Sequence, residues 1–380
     1  MKYMGSKRYM LTNGLGKLLD EEAKSAKRIV DLFCGAGAVA CHVARHTDLP
    51  VLAIDLQKYS VILTESIIGR NRVIEESELT ENWLNRVDDL RRESKLWISA
   101  EKLSAKLDKR RMGQYVKDCR ELCEERSTIG PIWNAYGGHY YSPQQALTFD
   151  YLLKYVPQEL THQKVSLAAV IMAASRCAAS PGHTAQPFQP TRTAKKFLLE
   201  SWQKDPVDVC KRTLSEVSKL HARTIGEARV ANAIDEAKKL RPTDLVFVDP
   251  PYSGVQYSRF YHVLETIANK ECGKVSGVGR YPDISKRPQS SFSNKGQSKQ
   301  ALIDLLSNLA ESGATVIFTF PNEECSNGLS GEEVKNTAMQ FFDIQEKEKV
   351  KMRFSTLGGN NTKRDSRKES CELILLMRPK

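Results

Sequence analysis

The sequence predicts a doubly wound α/β domain interrupted by a mostly helical insert. Three observations carry this. Short apolar runs alternate with helical patterns at both ends of the 380-residue chain, as in parallel strands joined by crossover helices. A glycine turn follows the first run, and an acid closes the second. Between about residues 76 and 224 the β-like runs disappear.

Ile29 to Phe33 reads as the first strand, Gly35 and Gly37 as a tight turn, and Ala38 to Arg45 as a helix. Val51 to Ile54 is the second strand and ends at Asp55, with a helix over Lys58 to Ile68. Glu75 to Arg126 is dense in charge and reads as helices with wet faces. Trp133 to Tyr141 is aromatic and glycine-rich, and 144 to 178 returns to helical patterning. Ser180 to Pro190 has too much proline and glycine for either regular element. The α/β pattern resumes with a strand-like run from Ala228 to Asp235 and a buried strand at Leu245 to Val248. A polar, glycine-rich region over Gly273 to Lys295 precedes a helix at Gln300 to Ala310 and a strand at Ala314 to Phe320. Phe342 to Arg353 and Cys371 to Met377 suggest an edge hairpin around a basic loop at 358 to 364. The expected division is therefore 1–75 with 225–380 as one discontinuous domain and 76–224 as the insert.

A net charge of +11 favours a polyanionic partner without identifying it. No stretch approaches 18 apolar residues, so no membrane span is expected. The N-terminus carries no apolar signal segment, so a cytoplasmic protein is expected. Nine cysteines form no framework, and no metal site is expected.

Two loops carry chemistry. Glycines at 35 and 37 let backbone pass close to a ligand at a helix start. Asp55 at the next strand end suits the two ribose hydroxyls of an adenosine moiety, or caps a helix. Asp31 is placed to hold the turn's amides or a cationic amino group, and Asp235 to meet an adenine amine or cap a helix. The second loop is Asp249-Pro250-Pro251-Tyr252. An amino group on a planar base is a poor nucleophile because its lone pair is delocalised into the ring. The Asp249 carboxylate and the Pro250 carbonyl offer two acceptors for its hydrogens, and Tyr252 a ring to stack on the base. No covalent nucleophile is required, so Cys34 need not react.

These motifs, in this order, resemble the Dam-like (D12) class of adenine-specific DNA methyltransferases that use S-adenosyl-L-methionine. The resemblance covers nearly the whole chain and implies a Rossmann-like methyltransferase sheet with helices on both faces. Its N-terminal cofactor motif is matched at Lys2 to Arg8, with Tyr3 as the aromatic and Lys7 as the lysine near cofactor and catalytic loop. Asp31, Phe33, Gly35 and Gly37 match the glycine motif, Asp55 the ribose acid, and Asp235 the acid before the catalytic strand. Asp249, Pro250, Pro251 and Tyr252 match the catalytic motif residue for residue.

The resemblance makes 76–224 a target recognition domain. It also implies a flipped-out adenine, methylated on N6. Tyr257, Arg259 and His262 are then expected on the substrate side, and His183 and the Trp133 to Tyr141 segment near the bases. Phosphate contacts are expected from Arg192, Lys195, Lys196, Lys363, Arg364, Arg367 and Lys368. Double-stranded DNA is the implied partner of a monomer or weak dimer of bacterial or phage origin. A cognate restriction endonuclease belongs to the same expectation, since Gln256 to His262 resembles a branch found in restriction–modification systems. The loop chemistry alone also serves cytosine N4, RNA or another amine. A non-catalytic DNA-binding subunit and a nicotinamide-dependent oxidoreductase are the remaining alternatives.

Overall fold

The computed structural model describes residues 7–107, 109–125, 127–355 and 367–380. Side chains of 109, 348–355 and 367–370 lie outside the description. Apolar runs become the buried strands β1 (Arg28–Asp31) and β2 (Val51–Asp55), β3 (Glu227–Val230) is a half-exposed edge strand, and β4 (Asp244–Val248) is again apolar and buried. A short pair, β5 (Val275–Ser276) and β6 (Tyr281–Pro282), stands apart from them. Strands β7 (Thr315–Pro321), β8 (Phe342–Ser355) and β9 (Arg367–Pro379) complete a seven-stranded sheet in the order β3-β2-β1-β4-β7-β9-β8. The first five of these run parallel; β9 lies antiparallel to β7, and β8 antiparallel to β9. Strand order reverses between β1 and β4, so two crossover connections leave a crevice at their C-terminal ends.

Helices cover both sheet faces. Ala38–His46 and Lys58–Ile68 follow β1 and β2, and Ser298–Glu311 precedes β7. One buried layer contains Val30, Val246, Val316 and Leu375 with Leu302, Leu305 and Leu309. The other contains Ile29, Phe247, Ile317 and Ile374 with Val39 and Val43. Neighbouring residues on each strand enter opposite layers, as a pleat requires.

The chain divides into two compact units. The sheet unit takes Gly5–Asn71, Ala222–Tyr257 and Gln289–Lys380; the helical unit takes Arg72–His221 and also Ser258–Pro288. That last segment, expected with the sheet, packs on the insert: Tyr136 and Tyr140 meet the His262 ring at 5.6 and 5.7 Å, and the Arg280 guanidinium donates to the Ala135 carbonyl at 2.7 Å.

The helical unit centres on Pro143–Lys154 and Leu160–Cys177. Ser142 and Gln145 close a capping box on the first. One charge of the expected wet faces is interior: Arg91 is buried, donates to Asp205 (2.6 Å) and Thr148 (2.9 Å), and lies over the Trp97 ring. Among the described residues no helix is long and apolar enough to cross a membrane.

Candidate active site

The pleat explains where the polar groups gather. In the layer of Ile29, Phe247, Ile317 and Ile374, β2 contributes Ala53. Two residues further on each parallel strand, the same rows reach Asp55, Asp31, Asp249 and Thr319. On β9, which runs the other way, the row reaches Glu372 two residues before Ile374. One end of one sheet face therefore carries four carboxylates and a hydroxyl on five strands.

At β1, Gly35 and Gly37 have φ of +48° and +76°, the left-handed region that favours glycine. A Cβ on Gly37 would sit 2.7 Å from Thr64 Oγ1. Asp55 ties this turn to β2: one oxygen accepts from Gly35 N at 2.9 Å and the other from Gln57 N at 2.8 Å. Asp31 is buried and accepts from Phe33 N at 3.3 Å. Burial pushes its carboxyl up to about 8, and Asp249 and Asp55 add to the rise; amide hydrogen bonds from Phe33 and Ala40 oppose it. The Phe33 ring packs edge-on against Phe292 at 5.4 Å, and Tyr252 packs on the same cluster.

At β4, Asp249 Oδ1 receives Lys7 Nζ at 3.0 Å and Thr319 Oγ1 at 2.9 Å. Lys7 also donates to Glu372 Oε2 at 2.5 Å. Burial raises the Asp249 and Glu372 carboxyls, and Lys7 pulls both back. For Lys7, burial alone would lower the ammonium's pKa, but the two carboxylates outweigh it and raise it. The buried Asn327 amide donates to the carbonyls of Pro251 and Phe292, each at 3.1 Å, which fixes the proline loop. Tyr257 hydrogen-bonds Tyr252.

Lys7, Asp31, Phe33, Gly35, Gly37, Asp55, Asp249, Pro250, Pro251, Tyr252 and Tyr257 thus all belong to the sheet unit. Asp235 shares that unit but not the expected geometry. The strand ends at Val230, Asn232 caps the helix Ala233–Ala237, and Asp235 lies exposed in its first turn, 3.4 Å from Lys238. Tyr3, Lys363 and Arg364 lie outside the described residues.

The other expected substrate residues lie in the helical unit. Arg259 is exposed and stacks over the Tyr281 ring at 4.5 Å. His262, expected to line a substrate surface, is 1 % exposed among Tyr136, Tyr140 and Tyr281, and burial pushes its imidazole down to about 4. His183 is half-buried against Phe260. Arg192 and Lys195 are exposed. Trp133, Tyr136, Tyr140 and Tyr141, expected near the bases, are fully buried, so they hold this unit together and cannot act as exposed wedges. Glu372, Thr319 and Asn327 were not among the residues expected from sequence. Their signal was a polar residue inside or just beyond an apolar strand.

Over 98 residues the chain is 31% identical to a modification methylase, StsI, from Streptococcus sanguinis; the match covers 26% of this chain and 14% of that protein. Residues 3–130 and 185–319, more than half of the chain, match the description of the D12 class N6 adenine-specific DNA methyltransferases. The chain belongs to the D12 class N6 adenine-specific DNA methyltransferase family.

Proposed function

We propose that the chain methylates a specific DNA sequence, transferring a methyl group from S-adenosyl-L-methionine to the N6 amine of an adenine flipped out of the duplex. The observation that carries this reading is the position of the glycine turn and the Asp249 loop. They close adjacent parallel strands, β1 and β4, where the strand order reverses.

The residues fit the cofactor. Gly35 and Gly37 form a backbone turn with no Cβ at a helix start, and Asp55 stands at the end of β2 to accept ribose hydroxyls. Asp31 is a buried carboxyl with a raised pKa, and a nearby cationic group would ionise it. S-adenosyl-L-methionine supplies an electrophilic methyl on a positively charged sulfur.

The chain's own residues prepare the amine. Lys7 and Thr319 both address Asp249 Oδ1, so Oδ2 is the oxygen left to accept an N6 hydrogen. The Pro250 carbonyl accepts the other hydrogen, and Tyr252 stacks on the base. Drawn toward a tetrahedral shape, the nitrogen offers its lone pair to the methyl carbon. The N–C bond forms as the C–S electrons stay on sulfur, and the amine then sheds one proton to water. Positioning and electrostatics account for the catalysis. In this reading the helical unit selects the target sequence, with Arg192 and Lys195 on phosphates. A modification role beside a restriction endonuclease suits the likeness to a modification methylase.

The test is expression of wild type and Asp249→Ala in a methylation-free bacterial host, followed by sequencing that detects modified bases. N6-methyladenine at one recurring motif, lost in a mutant that still folds and binds cofactor, supports the reading. Methylated cytosine moves the target to another base, and unmarked DNA from the wild type refutes DNA methylation.

A further inference from the structure

Glu372 is a carboxylate that nothing in the proposed transfer uses. Its side chain is 0 % exposed, at the start of the apolar row of β9. One oxygen takes the Lys7 ammonium, and the other, Oε1, is buried with no hydrogen-bond partner among the described residues. A buried ion in such a row is costly, and the half-satisfied group adds to the cost. The pairing is also unbalanced. Lys7, 4 % exposed, is shared by Glu372 and Asp249, so the ionised set carries one negative charge in excess. Glu372 lies opposite Pro321 in the β7–β9 register, and Thr319, two residues before Pro321, faces the same side. Thr319 and Lys7 both hold Asp249 Oδ1.

We propose that Glu372 is a positioning residue for the methyl transfer. It takes a share of the Lys7 ammonium, so that Asp249 is held in place by Lys7 without being neutralised by it. The inference rests on the methyltransferase reading given above. An amine nitrogen gains positive charge as its lone pair bonds to the methyl carbon. A site one negative charge in excess opposes that charge at a short distance in a dry environment. With Lys7 devoted to Asp249 alone, the pair is neutral and the nitrogen meets less compensating charge.

Among the described residues, the charged and titratable groups around Glu372 are Lys7, Asp249 and Glu323, with Tyr252 and Cys325 in its field. Asp249 is addressed by Lys7 and Thr319, and Asp31 and Tyr252 lie in its field. Only Lys7 among these is a cation, so removing the Glu372 charge strengthens its hold on Asp249. The direction follows: Asp249 then loses its proton at lower pH.

Two variants separate charge from packing. Glu372→Gln keeps the shape and loses the charge; Glu372→Asp keeps the charge and loses a methylene. Initial rates are measured against pH with saturating labelled S-adenosyl-L-methionine and genomic DNA from a methylation-free host. In Glu372→Gln the acid limb should move down by about one pH unit, and kcat on the plateau should fall about tenfold or more with KM unchanged. Glu372→Asp should keep the wild-type acid limb even if it is less stable. Independently of activity, carbon-13 NMR of labelled aspartates, with the Asp249 signal assigned from Asp249→Asn, should show that carboxyl titrating lower in Glu372→Gln. An unmoved Asp249 titration, or an equal shift in both variants, overturns the role of Glu372. A wild type that methylates no DNA sinks the functional reading, and the NMR titration still decides the charge coupling.

Discussion

Replacing Asp31 with asparagine should flatten the pH dependence of stability. The wild-type carboxyl is 1 % exposed and its pKa is raised from 3.8 to about 8, mainly by burial. The unfolded chain releases this proton near 3.8, whereas the folded protein keeps it until about 8. The folded state therefore binds more protons throughout that window. The resulting stability is fully present below the unfolded value and is lost as pH rises through the folded one. One proton corresponds to about 1.4 kcal/mol per pH unit. The asparagine side chain has no proton to lose, while its amide oxygen still accepts from Phe33 N. Between pH 5 and 7 the wild type should lose stability more steeply than Asp31→Asn by roughly that slope. Over the two units the difference grows to about 3 kcal/mol, an upper figure because the carboxyl can relax toward water. Urea unfolding of both proteins in the absence of cofactor, at several pH values, measures it. Parallel stability curves would show that Asp31 is ionised in the folded protein and would refute the argument.

Two further substitutions test the geometry of each unit. Asp55→Asn presents an NH2 group to one of the two backbone N–H groups that Asp55 now satisfies, Gly35 or Gln57; calorimetry should show S-adenosyl-L-methionine affinity falling about tenfold, or about 1.4 kcal/mol, and unchanged binding by a folded mutant would remove Asp55 from the site. In the helical unit, a Cβ on Gly130 would sit 2.4 Å from Asp150 Oδ1, whose carboxylate accepts from Ile132 N and Trp133 N at 2.8 Å each. Gly130→Ala should therefore cost about 1–3 kcal/mol in thermal or urea unfolding, and a stability equal to wild type would mean that the carboxylate moves aside freely.

The inner parallel strands β1, β2, β4 and β7 were legible because they are buried on both faces and stand out as apolar runs, unlike the half-exposed edge strand β3. Leu245 to Val248 and Ala314 to Phe320 fall within a residue of β4 and β7. The two motif loops followed from those strands. Reading the strand on to Asp235 failed because Asn232 already caps a helix, and alternation over so few residues does not distinguish the two periods. Strands β5 and β6, two residues each, are too short to leave a pattern. The aromatic segment at Trp133 to Tyr141 misled for another reason: composition marks rings that pack well but does not say whether protein or a base covers them. Glu372 was hidden by strand direction. In a parallel strand the site lies after the apolar run, so Asp55 and Asp249 announce themselves as acids at its end. Antiparallel β9 meets the same edge of the sheet at its beginning, and there the acid precedes the run. Read in reverse, Glu372-Leu373-Ile374-Leu375-Leu376 has the same form as the strands that end at the other acids. A carboxylate held there against its desolvation cost, with a lysine from the other end of the chain on one oxygen, is the kind of group that folding alone would replace with an apolar side chain.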